Sequence, residues 1–336
     1  MVSMTLGVNY PWTVLDGKPL YGCDFGSNVW GNHAGVTTHE ADVRKDFEEM
    51  AGGGIEVVRW FVFTDGRGGL HWDADGNLVT LADEFFDDMD CALEIARGAG
   101  TRLCLVLFDF SWMRRTEHHG SDGRRVFATQ PDLLKTDAGI ARVLDSIVDP
   151  LLDRYGRHEA IHSFDVMNEP DWVTEGLAFH TRHAAKTNPF TIAELRTFVG
   201  AMTDRIHARS QILTTVGGAL VRHVSEWDRP EYGLDFLQVH SYPHVLWPGR
   251  DDSLIGRRAD TLDVTRPVLI GEFPANGDRR HPIDHLPPAF YLEDYLALAR
   301  DGGYMGAWPW SFKGVDGFGP LNLDALRAAA RLQSCP

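Results

Sequence analysis

The chain has 336 residues, 43% hydrophobic and 24% charged, the make-up of an ordinary globular protein able to bury a substantial core, which excludes a disordered chain. Its 48 Asp and Glu against 32 Lys and Arg give a formal charge of −16, which repels nucleic-acid phosphates and anionic membranes and leaves neutral ligands as the better fit. Cys23, Cys91, Cys104 and Cys335 are scattered with no CxxC pair, so neither a disulfide framework nor a zinc site is expected. Met1–Thr5 carries no basic and apolar leader pattern, and no run of about 18 apolar residues suggests a membrane span. A reduced, cytoplasmic setting is the expectation, although a processed secreted form would begin in the same way.

In chain order, apolar segments recur at Leu6–Tyr10, Ile55–Val62, Leu103–Phe108, Ile161–Met167, Ile212–Val216, Asp235–His240, Val268–Glu272 and Tyr304–Trp308. Most are continuous rather than alternating, which is how strands buried on both faces of a parallel sheet read. Between them, 3.6-residue periodicity predicts helices over Thr38–Met50, Leu81–Arg97, Thr136–Tyr155, Thr191–Arg209, Tyr291–Arg300 and Asp324–Leu332. Pro131 and Pro189 precede helices, and Gly98 and Gly302 are expected just past helix ends. This alternation predicts an α/β protein, a closed (βα)8 TIM barrel forming one domain over 1–336, with a doubly wound open sheet as the other architecture. Segments 11–36, 64–79, 111–130, 171–188 and 241–252 are long and turn-rich; in a barrel they are the loops at the C-terminal face, where active sites lie.

Two of the strands end in a glutamate, Val166-Met167-Asn168-Glu169-Pro170 and Val268-Leu269-Ile270-Gly271-Glu272-Phe273. A carboxylate at the end of a buried strand is costly unless it is paired or used. Two of them suit chemistry on a sugar, because a retaining glycosidase needs one protonated carboxyl to release the leaving oxygen and one ionised carboxylate to attack the anomeric carbon, about 5 to 5.5 Å apart. Arg59 stands inside Val57-Val58-Arg59-Trp60-Phe61, where a buried strand should hold no charge. A cation there favours an ionised carboxylate nearby; a structural ion pair with Asp65 or Asp109 is the alternative.

Taken together, Gly7-Val8-Asn9-Tyr10 on the first strand, Asn168-Glu169-Pro170 after the fourth, His240-Ser241-Tyr242 after the sixth, Gly271-Glu272-Phe273 on the seventh and Ala307-Trp308 on the eighth make the chain resemble clan A retaining glycoside hydrolases, most of all the family-five cellulases and mannanases. The resemblance implies Glu169 as general acid/base and Glu272 as nucleophile, with no cofactor. It implies Arg59 beside the nucleophile, Asn168 on the sugar 2-hydroxyl, Tyr242 donating to Glu272, and His240 lining the same site. Trp308 is expected as the floor under the reacting sugar, since the apolar face of a pyranose stacks on an indole. Trp12, Trp30, Trp72, Trp112, Trp172, Trp247 and Trp310 fall in proposed mouth loops, and of these Trp30, Trp112 and Trp310 are taken as further sugar contacts.

The implied activity is hydrolysis of β-linked mannose- or glucose-containing oligo- or polysaccharides, the alternatives being transglycosylation by the same glutamates or a sugar-binding barrel without catalysis. A binding module has no need of a split carboxylate pair. The chain departs from the resembled family at Asp109-Phe110-Ser111, where the family has histidine in place of the serine. The insert from Val14 to Ala34 is also long for a first loop, and walling off one end of the cleft would favour exo action on short oligosaccharides. Glu117, His118, His119 and Asp122 have the spacing of a polar loop rather than a metal site. Neither a GxSxG elbow nor a Walker A pattern occurs.

Overall fold

A computed structural model describes residues 4–177, 189–242, 254, 256–276 and 291–331. Eight parallel strands close into a barrel in chain order: β1 (Thr5–Asn9), β2 (Val57–Phe61), β3 (Arg102–Asp109), β4 (Ile161–Asn168), β5 (Leu213–Gly218), β6 (Leu237–His240), β7 (Val268–Glu272) and β8 (Gly306–Ala307). Each strand lies within or beside its expected segment, and the open-sheet alternative is ruled out by the β8–β1 pairing. Around the barrel run α1 (Glu40–Gly52), α2 (Phe85–Ala99), α3 (137–155, with Leu144–Val148 wound as π-helix), α4 (Ile192–Arg209), α5 (Leu292–Gly302) and α6 (Leu323–Arg331). No helix among the described residues is long and apolar enough to cross a membrane.

The helices start and stop for local reasons. Thr191 caps α4 in a reciprocal box with Glu194. Gly98 and Gly302 lie inside helices rather than after them; the left-handed terminal positions belong to Gly100 (φ 74°) and Gly303 (φ 79°), where a residue without Cβ is at no disadvantage. Helix α2 begins four residues later than periodicity suggests, because Leu78–Leu81 pairs with Leu70–Trp72 as an antiparallel hairpin. A second hairpin, Glu117–His119 with Arg125–Ala128, folds the loop after β3.

The barrel interior is layered. Val57, Cys104, Phe236, Leu269 and Trp308 fill the lower layer, and Trp12, Phe61, Val106 and Trp310 fill the upper one. Along β2 the inward residues Val57, Arg59 and Phe61 follow the two-residue strand period, so Arg59 falls between the layers. Trp308 fits only because β1 carries no side chain beside it: a Cβ on Gly7 would stand 2.4 Å from Trp308 Nε1. Gly7→Ala is therefore expected to destabilise the fold by about 1–3 kcal/mol through overpacking, read as a lower urea midpoint with an unchanged slope.

Candidate active site

Arg59 organises the mouth. It is fully buried, and all five of its N–H groups are used. Nε and Nη2 donate to Asp165 Oδ2 at 3.0 and 2.8 Å, Nη1 to Glu272 Oε1 at 2.6 Å and Asn9 Oδ1 at 2.9 Å, and Nη2 also to Asn168 Oδ1 at 2.8 Å. The ion pairs are thus with Asp165 and Glu272 rather than with Asp65 or Asp109. Asp165, absent from the sequence expectations, also accepts from the Gly217 amide at 3.0 Å and from Gln238 Nε2 at 3.1 Å. A side chain on Gly217 would intrude here, since its Cβ would lie 2.8 Å from Arg59 Nη2.

Two register shifts turn the polar residues at the strand ends inward. Between Asp165 and Asn168 three steps along β4 match two along β5, and between β6 and β7 the single step from Val239 to His240 matches two steps from Ile270 to Glu272. Such bulges re-aim side chains that strict alternation would send outward. Asn168 consequently reaches the interior, where its Nδ2 donates to Asp109 Oδ1 at 2.8 Å. Both ends of the amide are fixed, and among the described residues its second N–H is left for a ligand. Ser111, standing where the resembled family has histidine, gives its hydroxyl to Asp109.

Glu169 follows β4 in a left-handed conformation (φ 48°, ψ 47°), a strained geometry for a residue with a Cβ, of the kind found at functional sites. The Glu169 amide donates to Gly217 O at 2.7 Å, Trp172 Nε1 donates to its Oε2 at 2.8 Å, and His240 Nδ1 lies 2.9 Å from its Oε1. Burial pushes its carboxyl up to about 8; the Trp172 bond opposes this and the charges of Asp109 and Asp171 add to it. At neutral pH Glu169 is protonated.

Glu272 is treated differently. Burial, with the charge of Glu169 adding to it, leaves its carboxyl above the ordinary carboxylate range, while His240, Arg59 and the Tyr242 hydroxyl, which donates to Oε2 at 2.9 Å, oppose the rise. Burial also drives the His240 imidazole down to about 4. The ring is therefore neutral at neutral pH, and Arg59 is the cation that favours the ionised form of Glu272. One oxygen from each glutamate and a ring nitrogen of His240 lie within 4.8 Å of one another, in keeping with the close pair of a retaining enzyme and not with the ~6.5–9.5 Å separation of an inverting one. The same atoms could in principle share a metal ion. Arg59 and Tyr242 already occupy both Glu272 oxygens and Trp172 occupies one of Glu169, so protein donors take up oxygens that an ion would need.

The structure gathers Glu169, Glu272, Arg59, Asn168, His240 and Tyr242 into this cluster, but it divides the tryptophans. Trp308 is no floor for a ligand: it is fully buried in the lower layer. Trp310, two residues on and on the same face, stands one layer higher among Trp12, Phe61 and Tyr242, 8% exposed, with Nε1 donating to Asp316 at 2.7 Å. Trp112 is fully buried against Phe108 and Trp72 and is a core residue rather than a sugar contact. Trp30 is 38% exposed on the rim, donating to His119 O at 3.1 Å. Trp247 lies outside the described residues, as does most of the loop between residues 241 and 252. Asn9, Asp165, Gln238 and Trp172 complete the site without having been expected in it.

No family model matches the chain. Mannan endo-1,4-beta-mannosidase 1 of Oryza sativa subsp. japonica is 26% identical over 358 residues, covering 91% of this chain and 78% of that protein. Mannan endo-1,4-beta-mannosidase 7 of Arabidopsis thaliana is 22% identical, covering 94% of this chain and 79% of the relative. In fold, the chain matches the beta-1,4-D-mannanase from Cryptopygus antarcticus with a TM-score of 0.76 at 17% identity, over 99% of this chain and 91% of that one. The beta-mannanase of the blue mussel Mytilus edulis gives a TM-score of 0.71 at 19% identity, over 99% and 92% of the two chains.

Proposed function

We propose that this clan A glycoside hydrolase, which resembles the family-five mannanases, cleaves β-linked mannan with retention of configuration. The observation that carries the reading is the close pair of glutamates in unequal surroundings, Glu169 protonated by burial and Glu272 paired with the Arg59 guanidinium. Pairs of carboxyls pushed apart in this way divide acid and nucleophile roles.

In the first step a Glu272 oxygen bonds to C1 of the sugar as the C1–O glycosidic bond breaks. The bonding pair goes to the leaving oxygen, which takes the Glu169 proton. In the second step water attacks C1, gives a proton back to Glu169, and releases Glu272 as a carboxylate. Asn168 offers its remaining N–H to the 2-hydroxyl, a bond that strengthens in the oxocarbenium-like transition state. Trp310, rather than Trp308, supplies the stacking surface under the reacting ring.

The test is release of sugar from β-linked manno-, cello-, xylo- and laminari-oligosaccharides, with turnover expected on the manno series. Turnover confined to another series would replace the sugar, and none on any would overturn the hydrolase reading.

The pH profile follows from the carboxyl pair, which titrates as a unit. The acid must keep its proton, so kcat/KM is expected to fall as pH rises through about 8, where Glu169 ionises. The nucleophile must lose its proton, so kcat/KM also falls on the acid side. Trp172→Phe removes a bond that favours ionised Glu169 and is expected to move the alkaline limb upward. A limb that stays in place in this variant would detach it from Glu169.

A further inference from the structure

The loops after β1, β2 and β3 rise together on one side of the mouth. The first is stitched down by two buried aspartates. Asp24 accepts from the Thr13 amide at 3.2 Å and from Trp60 Nε1 at 2.9 Å. Asp88, on α2, accepts from the Gly26 and Thr37 amides at 2.7 and 2.8 Å, and His33 Nε2 lies 2.8 Å from it. The second loop passes so close to the first that a Cβ on Gly68 would lie 2.3 Å from Gly22 O, and the Val29 amide donates to Arg67 O at 2.8 Å. Trp30 ties the first loop to the third through His119 O. The three form one continuous rim.

Tyr21 is the exposed aromatic of this rim that packs onto the Trp12–Trp310 pair. Its ring stacks on Trp12 at 4.0 Å and 21°, and Trp12 meets Trp310 edge-on at 6.2 Å. The Arg67 guanidinium lies over the Tyr21 ring, 5.6 Å from its centroid. Arg67 cannot swing away freely, because its Nε donates to both oxygens of buried Asp65 at 2.8 and 3.0 Å. With Trp12 stacked on one face and a fixed guanidinium over the ring, Tyr21 is poorly placed to stack on a sugar. Yet it is 48% exposed, at a left-handed φ of 47°. What it presents is an edge and a hydroxyl. Burial, and after it the charge of Asp109, push that hydroxyl's pKa up, so the phenol stays protonated in the field of the carboxylate that orients Asn168.

The direction of a bound chain follows from the acid. Glu169, flanked by Trp172 and His240, protonates the departing part, which must run over the β4–β6 side of the mouth. The sugar left on Glu272 points the other way, toward Trp310, Trp12 and Tyr21. We infer that Tyr21, wedged between Trp12 and Arg67, closes the cleft beyond the sugar bonded to Glu272, so that single mannosyl units are removed from the non-reducing end instead of cuts being made within the chain. The inference rests on the mannan reading and departs from the endo action in the names of the Oryza sativa and Arabidopsis thaliana relatives.

The experiment follows the first products from mannohexaose carrying a fluorophore at its reducing end, beside the viscosity of a soluble mannan, for the wild type, Tyr21→Ala and Tyr21→Phe. Wild type is expected to release mannose and labelled mannopentaose while viscosity barely falls. Tyr21→Phe keeps the post and the pattern. Tyr21→Ala is expected to raise the mannobiose-to-mannose ratio on the order of tenfold or more, the scale on which one pocket contact changes selectivity. Early mannobiose and mannotriose from the wild type, with a rapid loss of viscosity, would overturn the inference and leave the mannan reading intact. Mannose alone from both wild type and a folded Tyr21→Ala would overturn the assignment to Tyr21. If Tyr21→Ala fails to fold, Arg67→Ala, which frees the ring, is expected to loosen the same pattern, and an unchanged pattern counts against the post. Turnover of another β-glycan in place of mannan would sink the mannan reading, and the product pattern of that series would then judge the wall.

Discussion

Glu272→Gln is expected to lower turnover on the order of 10⁴-fold or more, the scale seen when the residue forming the covalent intermediate is removed from an otherwise intact site. The amide keeps the shape of the side chain and its reach toward Tyr242, so the variant should fold and still bind substrate. It lacks the charge and the nucleophilic oxygen. The decisive measurement pairs initial rates with intact mass after exposure to a 2-deoxy-2-fluoro-β-mannosyl fluoride. Wild type should gain one fluorosugar as fluoride departs, with the ester on the peptide containing Glu272, and the variant should gain none. A variant that retained turnover, or a label on another residue, would remove Glu272 from the nucleophile role.

The second large effect is on stability as well as activity. Arg59→Met leaves Asp165 without its partner in a fully buried position and Glu272 with one cation fewer. Breaking a buried ion pair by removing one member costs about 3–5 kcal/mol, because the uncompensated charge stays behind. Denaturant unfolding should register that loss, and the folded fraction should be nearly inactive, since Glu272 then favours its protonated form. Adding Asp165→Asn to Arg59→Met should restore part of the stability and none of the activity. If Arg59→Met unfolds like the wild type, the pair is not an energetic element of the fold.

The barrel was legible from the sequence because strands covered on both faces cannot alternate, and the continuous runs from Leu6 to Trp308 declare themselves. Arg59 was legible for the complementary reason: a charge inside such a run demands an explanation. Asp165, inside Phe164-Asp165-Val166, carried the same signal, and reading the two together would have proposed the ion pair. Asn9 and Gln238 gave no comparable sign, since an uncharged amide near a strand end is common. The exchange of Trp308 for Trp310 has another cause. Strand periodicity says which face a residue occupies, and both tryptophans occupy the inner one. Depth along the barrel axis depends on how neighbouring strands are staggered, which a single strand's sequence does not contain. Trp112 was misplaced because the turn after β3 folds back into the core, and the mouth hairpins were missed because strands of three or four residues are too short to show a period.

The partners of Arg59 are drawn from all around the ring: Asn9 from β1, Asp165 and Asn168 from β4, Glu272 from β7, with the Gly217 amide of β5 and Gln238 of β6 completing Asp165. The first four strands supply four of its five bonds and the Asp165 carboxylate, and only the Glu272 bond comes from the other half. The guanidinium is thus already paired within the first four strands, and the docking of β7 adds the Glu272 bond. The chemistry assembles at that same moment, so a partly wound chain, however helical, carries no competent carboxylate pair to act on a sugar prematurely.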